Sequence, residues 1–332
     1  MGYLEGKNIL VTGAGGFIGS HLVEELLKQG ANVRALVFYN SFNNWGLLEN
    51  FRNRNLSHNL EVVPGDIRDP QFCMLLMKKQ EIIFHLAALI SIPYSYVAPT
   101  SYFQTNVLGT INLLEAAKYE KTGRFIHIST SEVYGTALYT PIDEKHPLQP
   151  QSPYSASKIS GENAVMSYYN AFDLPVSVVR PFNNFGPRQS ARGVIPTIIS
   201  QLISDKKNVS LGSLEPVRDY IFVKDTVEGL IRIAGSDKTM GETINLGTGR
   251  GYSIREIFKI ISQITGKNKK IIQDPKRIRP IKSEVWKLIC DNRKLKKLIN
   301  WCPPASLENK LDTTIEWVAN NLDKFQPNIY NI

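Results

Sequence analysis

The sequence predicts an α/β protein built on a doubly wound parallel sheet, with a smaller C-terminal lobe. Three observations predict it. Apolar runs of strand length alternate with helical segments through the first half of the chain. A turn with regularly spaced glycines joins the first strand to the first helix. After about Pro181 the alternation gives way to segments punctuated by proline and glycine.

The elements follow in order. NILVTG reads as a buried strand, SHLVEELLKQG as a helix ending at Gly30, and NVRALV as a second strand. LEVVPGD, EIIFHLAAL and RFIHIST are further runs of strand length, and SYFQTNVLGTINLLEAAKY, between the last two, has helical periodicity. Strands alternating with helices imply parallel pairing. Such sheets bind ligands at the carboxyl ends of their strands, beside the switch in strand order. Beyond Pro181, RPFNNFGPRQ, SIREIFKIISQIT and DNRKLKKLINW read as a lobe covering that crevice. The expected division is a dinucleotide-binding domain over 1–180 and a lobe over 181–332, with about 216–240 returning to the first domain. No internal repeat, low-complexity tract or flexible linker stands out.

Composition narrows the classes. The chain has 332 residues, 42% hydrophobic and 21% charged, ordinary for a soluble globular protein. No stretch approaches the roughly 20 apolar residues of a membrane span. MGYLEGKNILVTG carries no secretory pattern, and the three cysteines have neither CxxC nor metal-ligand spacing, so a reduced cytoplasmic location is expected. The net charge of +9 is spread along the chain. That distribution argues against nucleic acid and suits a local pocket for a small polyanion such as a nucleoside diphosphate. No histidine has metal-ligand spacing, and His127, alternating with apolar neighbours, reads as structural.

TGAGGFIG places glycines at 13, 16 and 19 between strand and helix. Gly13 permits the tight turn, Gly16 lets the backbone approach a pyrophosphate, and Gly19 lets helix and sheet pack closely. The helix N-terminus then offers unsatisfied N–H groups to the phosphates. The acidic residue that would hold the adenosine ribose is missing from the end of the second strand, where Val37 is followed by Phe38, Tyr39, Asn40 and Ser41. NAD and NADP therefore both stay open. Asp66 either accepts a hydrogen bond from the adenine amino group or serves as a turn or cap carboxylate.

YSASK separates Tyr154 and Lys158 by one helical turn, on one face. A lysine ammonium beside a positively charged nicotinamide favours the phenolate, so Tyr154 can take a proton from a sugar hydroxyl while hydride leaves the same carbon. STSEVYG puts Ser129, Thr130, Ser131 and Glu132 at the end of the strand RFIHI. That row is either a polar strand cap or the edge of an active site.

In order and spacing, TGAGGFIG, HLAA, STSEVYG, YSASK and RPFNNFGPRQ resemble the extended short-chain dehydrogenases/reductases acting on nucleotide sugars, over nearly the whole chain. The Thr-x-Glu pattern resembles the 4,6-dehydratases rather than the 4-epimerases. ALVFYNSFNNWG, ALISIPYSY and RPFNNFGPRQSARGVIPTIISQL look like the dehydratases of legionaminic acid biosynthesis, which act on nucleotide-linked N-acetylglucosamine. The resemblance implies a tightly bound, recycled NAD(P) on a Rossmann domain. Phe17, Ile18, Asn40, Asp66, Ile67, Leu86, Ala87, Ala88 and Asn106 complete the cofactor contacts made by the glycines, Tyr154 and Lys158.

The resemblance also implies the chemistry. Thr130 hydrogen-bonds the C4 hydroxyl, Tyr154 deprotonates it and the cofactor accepts the C4 hydride. Glu132 removes the acidified C5 proton as the C6 hydroxyl leaves, and hydride returns to C6. Many 4,6-dehydratases have Asp where this chain has Ser131, so either Glu132 handles both proton transfers or Ser131 relays one through water. UDP-glucuronate decarboxylases also carry Thr-Ser-Glu and remain an alternative, as does a 4-epimerase, whereas the set Thr130, Glu132, Tyr154 and Lys158 argues against a non-catalytic dinucleotide-binding regulator on the same fold. Asn183 is placed like the residue that binds the substrate diphosphate, and Arg218 and Arg279 can clamp it bidentately. Tyr94, in SIPYSY, is a candidate sugar contact. Asn106 either orders the tyrosine and lysine through water or makes a packing contact. Two helices, SYFQTNVLGTINLLEAAKY and YSASKISGENAVMSYYNAF, resemble the family's dimer-forming pair, which implies a homodimer.

Overall fold

The computed structural model describes residues 2–51, 58–327 and 329–330. Its main sheet has seven strands, all parallel. They are β1 (Asn8–Thr12), β2 (Asn32–Phe38), β3 (Leu60–Gly65), β4 (Ile82–His85), β5 (Arg124–Ile128), β6 (Val176–Pro181) and β10 (Glu242–Leu246). The spatial order is β3-β2-β1-β4-β5-β6-β10, so the winding direction reverses between β1 and β4. β4, β5 and β6 are buried at every position, as strands covered by helices on both faces must be.

The helices are α1 (Phe17–Lys28), α2 (Pro70–Met77), α3 (Ile92–Val97), α4 (Pro99–Phe103), α5 (Gly109–Glu120), α6 (Pro153–Phe172), α7 (Val194–Ile203), α8 (Val223–Ala234) and α9 (Ile254–Thr265), with two more beyond them. On one face of the sheet, Leu22, Val23 and Leu26 of α1 share a core with Val227, Leu230 and Ile231 of α8. On the other, Leu76 and Met77 of α2, Leu113 and Leu114 of α5 and Val165 of α6 form a second core. Asp69 caps α2 and Ser152 caps α6 by accepting backbone N–H groups, with proline in the first turn of each.

The helix expected from SYFQTNVLGTINLLEAAKY is interrupted. Gln104–Leu108 is a π-helical turn between α4 and α5, a geometry that often accompanies functional sites. Its Asn106 is buried, with its side chain bonded to the Leu89 backbone and to Ser157.

The second lobe contains β7 (Asn183–Phe185), β9 (Val217–Phe222), β11 (Gly251–Ser253) and β13 (Lys287–Leu288) in one sheet. β8 (Asn208–Leu211) pairs with β12 (Lys270–Gln273) in another. Ile195, Ile198 and Ile199 of α7 pack with Ile257, Phe258 and Ile261 of α9 in this lobe's core. The chain recrosses to the first lobe through α8 and β10, which ends at Leu246, whereas β9 stays in the small sheet. No helix among the described residues is long and apolar enough to cross a membrane.

Candidate active site

Thr12 ends β1, and the backbone turns at Gly13 with φ of +68°. A Cβ at Gly13 would lie 2.8 Å from the Ala87 nitrogen, at the end of β4, so only glycine fits the switch point. A Cβ at Gly19 would lie 2.2 Å from the Gly13 oxygen, so α1 packs directly on the loop. α1 begins after Gly16 with no capping side chain and no acid in its first turn, leaving its N-terminal dipole open to an anion.

Above this loop lies a cavity of about 670 Å³. Gly13, Gly16, Phe17, Ile18 and Gly19 line one end, with Val37, Phe38, Asn40 and Leu86–Ala88. Ile128–Glu132, Tyr154 and Lys158 line the other. The glycine cradle and the uncapped helix fit a dinucleotide pyrophosphate. Asn40 shapes its loop, accepting from the Asn44 N–H at 3.0 Å and donating to the Asn44 oxygen at 2.8 Å.

Three of the expected cofactor contacts, Asp66, Ile67 and Asn106, do not line this cavity. The Asp66 carboxylate is held by the Arg68 guanidinium at 2.9 Å, which keeps it below the usual carboxylate range, and it does not line the cavity. Ile67 is buried in the core against Gly109. Asn106 spends its amide on Leu89 and Ser157, so it braces α6 from behind.

The polar strand end is both a cap and a cavity wall. The Thr130 hydroxyl accepts from the Glu132 N–H at 3.2 Å, starting the turn Ser131–Tyr134, while Thr130, Ser131 and Glu132 all line the cavity. Among the described residues, Glu132 is the only carboxylate and Lys158 the only cation in that lining.

Facing them, α6 presents Tyr154 and Lys158, its first turn fixed by reciprocal bonds between Ser152 and Ser155. The Lys158 ammonium donates to the Ile128 oxygen at 2.7 Å. Burial lowers its pKa to about 8, with Glu162 acting in the opposite sense. Burial also pushes the Tyr154 phenol above its ordinary value, opposed by its hydrogen bond with Thr130. Burial therefore dominates at this phenol.

Behind the site, buried polar groups form a chain. The Thr12 hydroxyl and His85 share a hydrogen bond at 2.8 Å, and His85 meets Thr110 at 2.9 Å. His127 stands beside His85 with no partner for either ring nitrogen, and burial holds its pKa well below the ordinary value.

A second cavity of about 420 Å³ shares Phe17, Ile90, Ser91, Ile92, Asn183 and Gln189 with the first. Arg218 and Arg279 both line it. Glu284 sits between them, 3.6 Å from the Arg218 guanidinium and 4.0 Å from that of Arg279. Asn183 Oδ1, Gln189 Oε1, the Tyr220 hydroxyl and Arg279 Nη1 are buried there without hydrogen-bond partners. Buried orphan groups are rare in folded proteins, and their convergence on one cavity fits a polar ligand. Gln189 and Arg192, which also line this cavity, follow β7 and are not singled out by the sequence pattern. Arg277, Glu284 and Tyr330 gave no local signal.

Tyr94 lines neither cavity. It is 42% exposed on α3, its ring 6.2 Å from that of Tyr102, and Ser91 and Ile92 line the site instead. Among the described residues no cluster of His, Cys, Asp and Glu could hold a metal.

Comparison with known proteins agrees with this architecture. The model of the GDP-mannose 4,6 dehydratase family matches residues 10–314. UDP-glucose 4-epimerase of Mycolicibacterium smegmatis is 35% identical, over 94% of this chain and 98% of its own. dTDP-D-glucose 4,6-dehydratase of Homo sapiens is 30% identical, over 96% and 92%. The crystal structure of DesIV, the dTDP-glucose 4,6-dehydratase of Streptomyces venezuelae with NAD bound, superposes with a TM-score of 0.86 at 29% identity, covering 96% of this chain and 99% of that one. The chain therefore belongs to the extended short-chain dehydrogenase/reductase family of NAD-dependent nucleotide-sugar dehydratases and epimerases.

Proposed function

We propose that this protein is a nucleotide-sugar 4,6-dehydratase of the legionaminic acid type, converting GDP- or UDP-N-acetylglucosamine to its 4-keto-6-deoxy derivative in the cytoplasm. The observation that carries this reading is Glu132, the only carboxylate lining the first cavity among the described residues, two positions from Thr130 and opposite Tyr154. Epimerisation at C4 needs no base at C5, whereas elimination of water across C5 and C6 does.

Gly13, Gly16 and the start of α1 would hold the pyrophosphate of NAD, the cofactor bound in DesIV, with Tyr154 and Lys158 at its nicotinamide end. When bound, the nicotinamide supplies a reversible hydride acceptor and a positive charge. Thr130 orients the C4 hydroxyl and Tyr154 takes its proton, with the Lys158 charge favouring the phenolate. Glu132 removes the C5 proton, and Glu132 or Ser131 protonates the departing C6 hydroxyl. Asn183, Arg218 and Arg279 hold the substrate diphosphate, completing a site that spans both cavities. The working unit is a homodimer.

Incubation with GDP- and UDP-N-acetylglucosamine, dTDP-glucose, UDP-glucose and UDP-glucuronate, followed by mass spectrometry, tests the assignment. Loss of water from an N-acetylglucosamine nucleotide is expected. Loss of carbon dioxide from the glucuronate would make the protein a decarboxylase, and isomerisation without mass change an epimerase.

A further inference from the structure

Tyr134, Arg180 and Glu162 line neither cavity, yet together they connect the two halves of the site. All three are buried. Glu162 lies on α6, one turn beyond Lys158, and Arg180 lies on β6, one residue before its end. The guanidinium grips the carboxylate as a fork, Nε donating to Oε1 at 2.9 Å and Nη2 to Oε2 at 2.6 Å. Its remaining arm, Nη1, donates to the Tyr134 hydroxyl at 2.8 Å. That hydroxyl in turn donates to Asn245 Oδ1, on β10, at 2.6 Å. Tyr134 is the last residue of the turn Ser131–Tyr134, two positions after Glu132.

We propose that Tyr134, anchored to the Glu162–Arg180 pair, is a positioning residue that sets Glu132 against Tyr154 and Lys158. This rests on the dehydratase reading above. The turn that carries Glu132 is fastened at its start by the Thr130 hydroxyl. Gln149 also holds it, by its N–H to the Val133 oxygen and its amide to the Tyr134 oxygen. The Tyr134 hydroxyl adds the link to α6, through Arg180 and Glu162. A buried ion pair contributes little net stability, because taking two charges out of water offsets their attraction, and its best-attested use is to fix register. A bidentate fork fixes orientation as well as distance. Here the register that it fixes is between the helix bearing the groups that oxidise C4 and the turn bearing the base for C5. Oxidation needs Thr130, Tyr154 and Lys158 in place. Elimination also needs Glu132 at the right distance from them, and Tyr134 supplies that distance.

Tyr134→Phe tests this, since it keeps the ring, packed edge-on to His146, and removes the hydroxyl alone. With the nucleotide sugar that loses water, single-turnover absorbance of reduced nicotinamide separates the two steps. The absorbance should rise at close to the normal rate, because oxidation is spared. It should then decay roughly ten- to a hundredfold more slowly, the scale of a misplaced reacting group. Arg180→Lys keeps the charge and loses the fork, and it should show the same split, which carries the test if Tyr134→Phe does not fold. Equal slowing of rise and decay, or an unchanged decay in folded Tyr134→Phe, would overturn the positioning role while leaving the dehydratase reading intact. If the unaltered protein removes water from no nucleotide sugar tested, the dehydratase reading itself falls, and the positioning role with it.

Discussion

The Lys158 ammonium donates to the Ile128 oxygen at 2.7 Å and so ties α6 to the last residue of β5. Two motifs separated by some twenty residues are locked together by that bond, and Thr130 follows Ile128 by two positions. The arrangement has a cost in stability, because a buried ammonium has left water.

The cost is visible as a pH dependence. The folded pKa of Lys158 is lowered to about 8 from 10.5. Between those values the unfolded chain binds the extra proton, so stability should rise as pH increases through that window. Lys158→Met should lack this rise. Denaturant unfolding of both proteins at pH 8 and pH 10 measures the difference, and parallel behaviour would contradict the buried charge.

Much of this was legible in sequence because it is local. NILVTG, TGAGGFIG and the helix after it are consecutive, and the glycine spacing states what the turn must do. YSASK needs only helical periodicity. Legibility ended where contacts became non-local. Asp66 reads from sequence as either an adenine contact or a turn carboxylate, and only the fold shows that the Arg68 N–H and guanidinium, two residues on, both donate to it. Asn106 was placed correctly on its helix, yet nothing in TNVLGT announces a π turn or bonds to Leu89 and Ser157. Tyr330 meets Arg277 only because the chain's far end folds back over the second lobe.

At Tyr154 the expected outcome is a clean separation of binding from chemistry. Tyr154→Phe removes the proton acceptor and leaves the glycine loop intact. NAD should bind within a few-fold of normal while the first oxidation falls by roughly a hundredfold to ten-thousandfold. Single-turnover absorbance of reduced nicotinamide reads the oxidation directly, and near-normal turnover would remove Tyr154 from its role.

Three buried histidines predict acid sensitivity. Burial lowers His21 to about 4 and His85 to about 3, and His127 well below its ordinary value. Below pH 6.5 the unfolded chain takes up protons that the folded one refuses, so stability falls as pH drops, by about 1.4 kcal/mol per pH unit for each group. His127→Phe removes two buried nitrogens without partners and should unfold with a visibly shallower slope between pH 6 and pH 5. An unchanged slope would mean that His127 is already solvated.

Assembly can be tested at apolar groups on the helical face carrying α4, α5 and α6. Phe103, Leu108, Tyr119 and Phe172 are all more than a third exposed. Pairing through a twofold axis would cover such a face with itself. Light scattering should find a dimer, and Leu108→Asp should shift it toward monomer while leaving NAD binding in place. A monomeric parent protein would rule this surface out as a dimer interface.

The decisive residue is Glu132. Glu132→Gln keeps the shape of the strand end, since the bond to Thr130 uses the backbone N–H rather than the carboxylate. Oxidation at C4 depends on Thr130, Tyr154 and Lys158 and should continue. Elimination should fail, because the amide cannot take the C5 proton. The variant should then hold reduced nicotinamide beside a 4-keto sugar, seen as near-ultraviolet absorbance that grows when substrate is added and does not decay. Ser131→Ala divides the remaining work. A small effect means that Glu132 performs both proton transfers, whereas a loss matching that of Glu132→Gln means that the buried serine relays the proton to the leaving hydroxyl. Release of the 4-keto-6-deoxy product by Glu132→Gln at nearly the normal rate would reduce the polar strand end to a cap, which its bond to the Glu132 N–H already makes it, and the dehydratase assignment would lose its base.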